Sequence, residues 1–221
     1  TIQKIQDIEY NGRINNELII KNTDHTSFKV DFGGTYRNKE RNFDSQFFGI
    51  QETALDAINP TSIDALSEIF TQQNIANGFL KINTLPADRY RGNLESLGTY
   101  IEATGVTGKF TLQGGLRYQN DQINVKFDVG NIPGRLGKVI KNYEKLYPSL
   151  NLKYAATEKI NLRFANSYST TLPEFKEIAP FEYVSAVGQV TRGNKDIEAS
   201  LNTNYDLKFE YFPSKGQLIS F

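Results

Sequence analysis

Few residues in this sequence could do chemistry, and they are scattered. The one histidine, His25, sits in the polar run Thr23-Asp24-His25-Thr26. A lone imidazole cannot assemble a metal site or a catalytic triad without partners, so it reads as a solvated turn residue. Glu174 and Glu177 follow Pro173 as a pair of carboxylates. Their spacing in a proline-containing loop does not fix the separation that general acid and base work on a glycosidic bond requires. The glycine-rich stretch from Gly130 to Lys138 resembles a phosphate cradle but lacks the Gly-Lys-Ser/Thr ending and the strand-to-helix setting. Cysteine is absent, which excludes disulfides, thiolate metal sites and a cysteine nucleophile. No enzyme, metal site or cofactor is expected from this inventory.

What the chain does carry is period. From Leu201 to Tyr211 every odd position is apolar, aromatic or Thr, and every even one is Asn, Asp, Lys or Glu. Successive side chains of a strand face opposite sides of the sheet, so this segment has one greasy and one polar face. The same alternation places Phe110, Leu112, Leu116 and Tyr118 against Thr111, Gln113, Arg117 and Gln119. It recurs around Leu150 and Leu152, around Leu162 and Phe164, and around Phe28, Val30 and Phe32. Helices would repeat at three and four residues instead. The pattern is that of a wall between lipid and water.

Composition agrees with such a wall. Acidic and basic residues balance at a formal net charge of zero, so no global field draws the chain to nucleic acid. The basic run Arg37-Asn38-Lys39-Glu40-Arg41 is interrupted by an acid and has no aromatic ladder beside it. No apolar stretch is long enough for a transmembrane helix, whereas barrel strands need only about ten half-polar residues each. Tyr147, Tyr154, Tyr168, Tyr205, Tyr211 and Phe212 fall toward strand ends, where amphipathic rings favour the hydrocarbon boundary.

The connections alternate in length. Polar turns are expected at Thr23 to Thr26, Gly105 to Gly108, Thr157 to Lys159 and Pro213 to Gly216. Long excursions are expected over about 43–89, 130–145 and 171–199. In an up-and-down meander this order puts every short turn on one rim and every long loop on the other, as in outer-membrane barrels. The first excursion holds one expected helix, with caps at Asn59-Pro60-Thr61-Ser62, apolar residues Ile63, Leu66, Ile69 and Phe70, and a stop at Asn77-Gly78. After Asn120-Asp121 the alternation changes phase to Ile123, Val125 and Phe127, which predicts a bulge or register change. Gly114-Gly115 marks a bend or a close approach inside a strand.

The segment from Thr171 to Tyr183, then Arg192 to Ser200, then Asn204 to Pro213 resembles the barrel region of TonB-dependent outer-membrane receptors, especially those of Bacteroidetes type. The matching positions are Pro173, Phe175, Glu177, Ala179, Pro180 and Phe181, the pair Gly193 and Asn194, and the runs Asn204 to Leu207 and Glu210 to Pro213. Leu172 departs from the Arg common there, and Lys195 and Ala199 from the prolines common after Gly-Asn. Weaker similarity at Phe43 to Phe48 and Leu112 to Tyr118 extends the resemblance over most of the chain. The fold expected is thus an all-β, antiparallel up-and-down transmembrane β-barrel, residues 1–221 being an interior part of it, with long extracellular loops and one short helix.

The resemblance implies a place in the bacterial outer membrane, in contact with its lipid. It also implies TonB-dependent uptake of a scarce nutrient such as an iron chelate, a cofactor or an oligosaccharide. The TonB complex would act through a plug domain outside this chain, and no nucleic acid is expected as a partner. Candidate ligand contacts are Phe175, Glu177, Phe181 and Tyr183 on the third long loop. The alternatives are an outer-membrane adhesin or plugless porin, and a soluble β-sandwich binding module. The sandwich requires Leu150, Leu162, Leu207 and Phe209 to pack against a second layer of the same molecule.

Overall fold

The structure, a computed structural model, describes residues 2–23, 26–53, 58–62, 64–130, 132–184 and 188–221. In chain order the elements are β1 (Ile2–Asn22), β2 (Thr26–Gln46), β3 (Phe48–Glu52), α1 (Leu66–Ile69), α2 (Gln72–Ala76), β4 (Leu80–Thr84), β5 (Asp88–Thr107), β6 (Phe110–Asp128), β7 (Leu136–Thr157), β8 (Ile160–Thr171), α3 (Phe175–Ile178), β9 (Glu182–Val184), β10 (Val190–Arg192), β11 (Ser200–Tyr211) and β12 (Ile219–Ser220). One sheet runs β1-β2-β5-β6-β7-β8-β11-β12, each strand antiparallel to its neighbours. The expected meander is present, and the sheet is not closed. The small hairpins β3–β4 and β9–β10 occupy two of the long connections.

The outward face carries the greasy residues the alternation picked out. Leu207 is 80% exposed, and Leu150, Leu162 and Phe209 stand about equally open at 40%, 41% and 38%. Among the described residues no second layer covers them, so the sandwich reading fails. Leu97, Ile101, Leu112, Leu116 and Leu152 continue the same exposed surface across β5, β6 and β7. An apolar surface of that extent needs a medium other than water.

β1, β2, β5, β6 and β7 are 19 to 22 residues long. About ten residues cross a bilayer, so roughly half of each strand projects beyond it. That projection corrects one expected boundary. β7 is already paired at Leu136 with Asp128, and the second excursion shrinks from 130–145 to 129–135. Charged residues such as Lys138 and Lys141 lie at the start of β7, beyond the bilayer, because both faces of a projecting strand meet water or other protein. The first excursion likewise contracts at its ends, since β2 continues to Gln46 and β5 begins at Asp88.

The phase change in β6 is not a bulge. β6 pairs without a register break from Phe110 to Asp128 with both neighbours. Ile123, Val125 and Phe127 simply face inward, where Leu112 and Leu116 face outward, and all three are buried. The register shifts fall elsewhere, at Ile19/Lys21 and Ala155/Thr157, beside short turns. The expected single helix is two short ones. The Oγ1 of Thr71 accepts the Asn74 N–H at 3.0 Å and starts a second helix, which stops at Asn77 before Gly78, whose φ is +76°. Tyr147 also departs from its expected boundary position: it is buried on the inner face and its hydroxyl meets Thr170 Oγ1 at 2.7 Å. His25 lies outside the described residues, though Thr23 and Thr26 on either side close the turn through paired main-chain bonds.

Candidate functional site

The site is the inner face of the sheet near the long-loop rim. Its upper part is an apolar cluster. Phe43 stacks on Tyr90 with centroids 4.8 Å apart, and Phe181 meets Phe43 edge-on at 5.2 Å. Leu94, Ile123, Val125 and Phe127 complete the wall side, and Phe175, Ile178 and Ala179 come down onto it from the third long loop. Gly92 makes this docking possible, because a Cβ there would enter the ring of Phe175.

The loop is held in shape by its own main chain. Glu174 donates its N–H to Glu177 Oε2 at 2.8 Å, the return bond of a capping box on α3. Asn194 N–H donates to the Glu177 carbonyl at 2.6 Å and Gly193 N–H to that of Phe181 at 3.1 Å. A Cβ on Gly193 would collide with the Ala179 carbonyl. The Pro-x-Phe-x-Glu segment and the Gly-Asn segment are therefore two halves of one clasp.

Of the four candidate ligand residues, Phe175 lines the concavity below the clasp, where it is buried against Gly92. Glu177 holds the helix cap and Phe181 is buried in the cluster. Tyr183 pairs with Thr191 in the β9–β10 hairpin, and its side chain lies outside the described set. A second clasp ties the loop to β7: Glu198 accepts from Lys141 Nζ at 2.8 Å and from the Tyr143 hydroxyl at 3.0 Å. The Lys141 ammonium, followed by the Tyr143 hydroxyl, holds the Glu198 carboxyl below its ordinary value. Burial, reinforced by Glu198, pushes the Tyr143 phenol up to about 12.

The concavity has a volume of about 670 Å³ and is lined chiefly by polar groups of β1, β2, β5 and β6. Apart from Phe175, sequence reasoning did not single out its residues as a site. Arg41 grips Asp7 through two bonds of 2.7 and 2.6 Å, and Arg37 grips Glu9 at 3.0 and 3.1 Å. The Arg41 fork holds the Asp7 carboxyl below its ordinary value. Asp121, almost fully buried, accepts from Ser96 and from Gln119. The inward parity of these positions was the available signal, but parity alone does not say which of them meet.

An inner face of paired charges, an outer face of exposed aliphatics and short turns gathered at one rim form a membrane barrel wall. Residues 60–221 match the model of the outer membrane protein beta-barrel family. The chain belongs to that family. This barrel wall lies in the outer membrane. No curated protein sequence matches it. Among solved structures it is similar to the siderophore receptor PiuA from Acinetobacter baumannii, at 12% identity and a TM-score of 0.55, over 93% of this chain and 30% of that one. It is also similar to the ferric yersiniabactin uptake receptor FyuA from Yersinia pestis, at 12% identity and a TM-score of 0.46, over 96% of this chain and 28% of that one. The barrel wall therefore spans less than a third of the length of either receptor.

Proposed function

We propose that this wall is part of a TonB-dependent uptake receptor, of Bacteroidetes type, that imports a scarce nutrient such as an iron chelate, a cofactor or an oligosaccharide. One observation carries the reading: the lumen side is a continuous field of paired and hydrogen-bonded charges, capped at the long-loop rim by a folded-in loop. An adhesin needs no such polar bore. The fold shared with PiuA and the Thr171 to Tyr183 resemblance support the same reading. In this scheme the long-loop rim is extracellular, and a plug supplied outside residues 1–221 couples the barrel to the TonB complex. Phe175 contributes a wall of the ligand hollow, Glu177 and Phe181 keep the loop in position, and Tyr183 is carried on the outer hairpin.

The test is nutrient-limited growth and labelled-solute uptake in cells carrying the full-length gene, compared with its deletion and with a strain lacking TonB. The expected result is uptake that disappears in both mutants and on addition of an uncoupler. Uptake that persists without TonB, in proportion to solute concentration, would make the protein a passive pore.

A further inference from the structure

Arginines on the inner face fall into two kinds. Arg37 and Arg41 are neutralised by Glu9 and Asp7. Arg13 and Arg117 are not. Arg13 donates through Nε to Asn15 Oδ1 at 2.7 Å and lies 6.0 Å from the centroid of the Tyr100 ring. Arg117 donates through Nε to Gln119 Oε1 at 3.0 Å and through Nη2 to Thr35 Oγ1 at 3.0 Å. Among the described residues neither guanidinium forms an ion pair. Of the carboxylates nearby, Asp31 is paired with Lys29, whereas Asp121 and Glu102 accept from the neutral Ser96, Gln119 and Gln113 and keep their charge, though neither makes an ion pair with Arg13 or Arg117.

Both arginines line the 670 Å³ concavity and also the adjoining one of about 600 Å³, so they mark the seam between the two hollows. Two glycines set them there. Arg117 on β6 reaches across β5 at Gly98 to Thr35 on β2, and a Cβ on Gly98 would come within 2.8 Å of its Nη2. Tyr100 on β5 crosses β2 at Gly33 to Asn15 on β1, with its hydroxyl 2.7 Å from Asn15 Oδ1, and presents its ring to Arg13. A guanidinium stays charged at any physiological pH and carries five N–H donors, most of which these contacts leave unused.

We propose that Arg13 and Arg117 form an oxyanion site for the carboxylate or phosphate groups of a diffusible solute passing between the two hollows. This rests on the uptake reading and adds the chemistry of the cargo: it is anionic. Neutral partners fix the forks without consuming their charge, which is the arrangement that leaves binding energy for a ligand.

The test uses the full-length protein in detergent at low salt, titrated calorimetrically with citrate and with inorganic phosphate. Saturable binding of at least one anion is expected, weakened at least tenfold in Arg13→Gln/Arg117→Gln. Gly98→Ala retains both charges but intrudes on Arg117, and it too is expected to weaken binding. Arg163→Gln removes a lumen charge already paired with Glu210 and should leave binding unchanged. Heat-resistant gel migration verifies that each variant is folded. Equal binding by wild type and the double variant, or none by the wild type, overturns the site. Absent binding together with reduced heat resistance of the double variant also overturns it, by showing that a carboxylate of the protein itself holds the arginines. Uptake that is independent of TonB while citrate binding is intact breaks the uptake reading alone.

Discussion

The lower and upper halves of the same strands bury opposite faces. In β6 the lower half turns Leu112 and Leu116 outward and Arg117 and Gln119 inward. The upper half turns Ile123, Val125 and Phe127 inward under the loop and leaves Gln122 outward. No residue is inserted between the halves. What changes is the surroundings: hydrocarbon outside and a polar bore inside below, water outside and a folded loop inside above. A strand that spans both zones must exchange its apolar parity where the bilayer ends.

The strongest way to break this comparison is to put a charge in the upper interior. Ile123→Asp buries an unpaired carboxylate and is expected to cost about 5 kcal/mol or more in urea unfolding from lipid vesicles. Little effect would mean that the loop does not seal this cluster. Phe175→Ala removes the ring that sits on Gly92 and should cost about 3–5 kcal/mol, or, where the loop simply lifts off, expose residues 172–199 to protease without global unfolding. Leu150→Arg charges the outward face within the lipid zone and is expected to cost about 2–4 kcal/mol.

Smaller effects sharpen the boundary. The Asp7–Arg41 pair lies above the lipid zone, and the Asp7 carboxyl titrates below its ordinary 3.8 in the folded protein. Its contribution is present above that value and lost as the pH falls through the depressed one. Because the pair is partly exposed, the loss should be under about 1 kcal/mol, and Asp7→Asn should remove this acid-dependent part of the unfolding curve. Ile140→Arg lies on the same outward parity of β7 as Leu150 but beyond the lipid, and should stay within about 0.5 kcal/mol of wild type. A cost matching that of Leu150→Arg would move the membrane edge upward.

The sequence showed the sheet well because lipid imposes a strict rule: outward apolar, inward polar, period two. Leu207 and Phe209 could be placed from that rule alone. It was less informative above the membrane. The apolar run after Asn120 reads equally as a bulge or as a change of facing, and only the unbroken register decides between them. Thr71 interrupts a helical pattern by capping a new helix, a choice that apolar spacing does not record. The candidate site was half legible. The loop was found through its motif, Phe175 and Phe181 are buried in the wall cluster, and the clasp and the arginine seam depend on contacts between segments distant in sequence.

Gly33 and Gly98 let an aromatic ring and a guanidinium lie lengthwise against the wall instead of jutting from it. A tube lined in this way has a smoother and wider throat than its content of long side chains would suggest. The same struts span three staves each, so the sheet gains transverse stiffness at the seam between the two hollows.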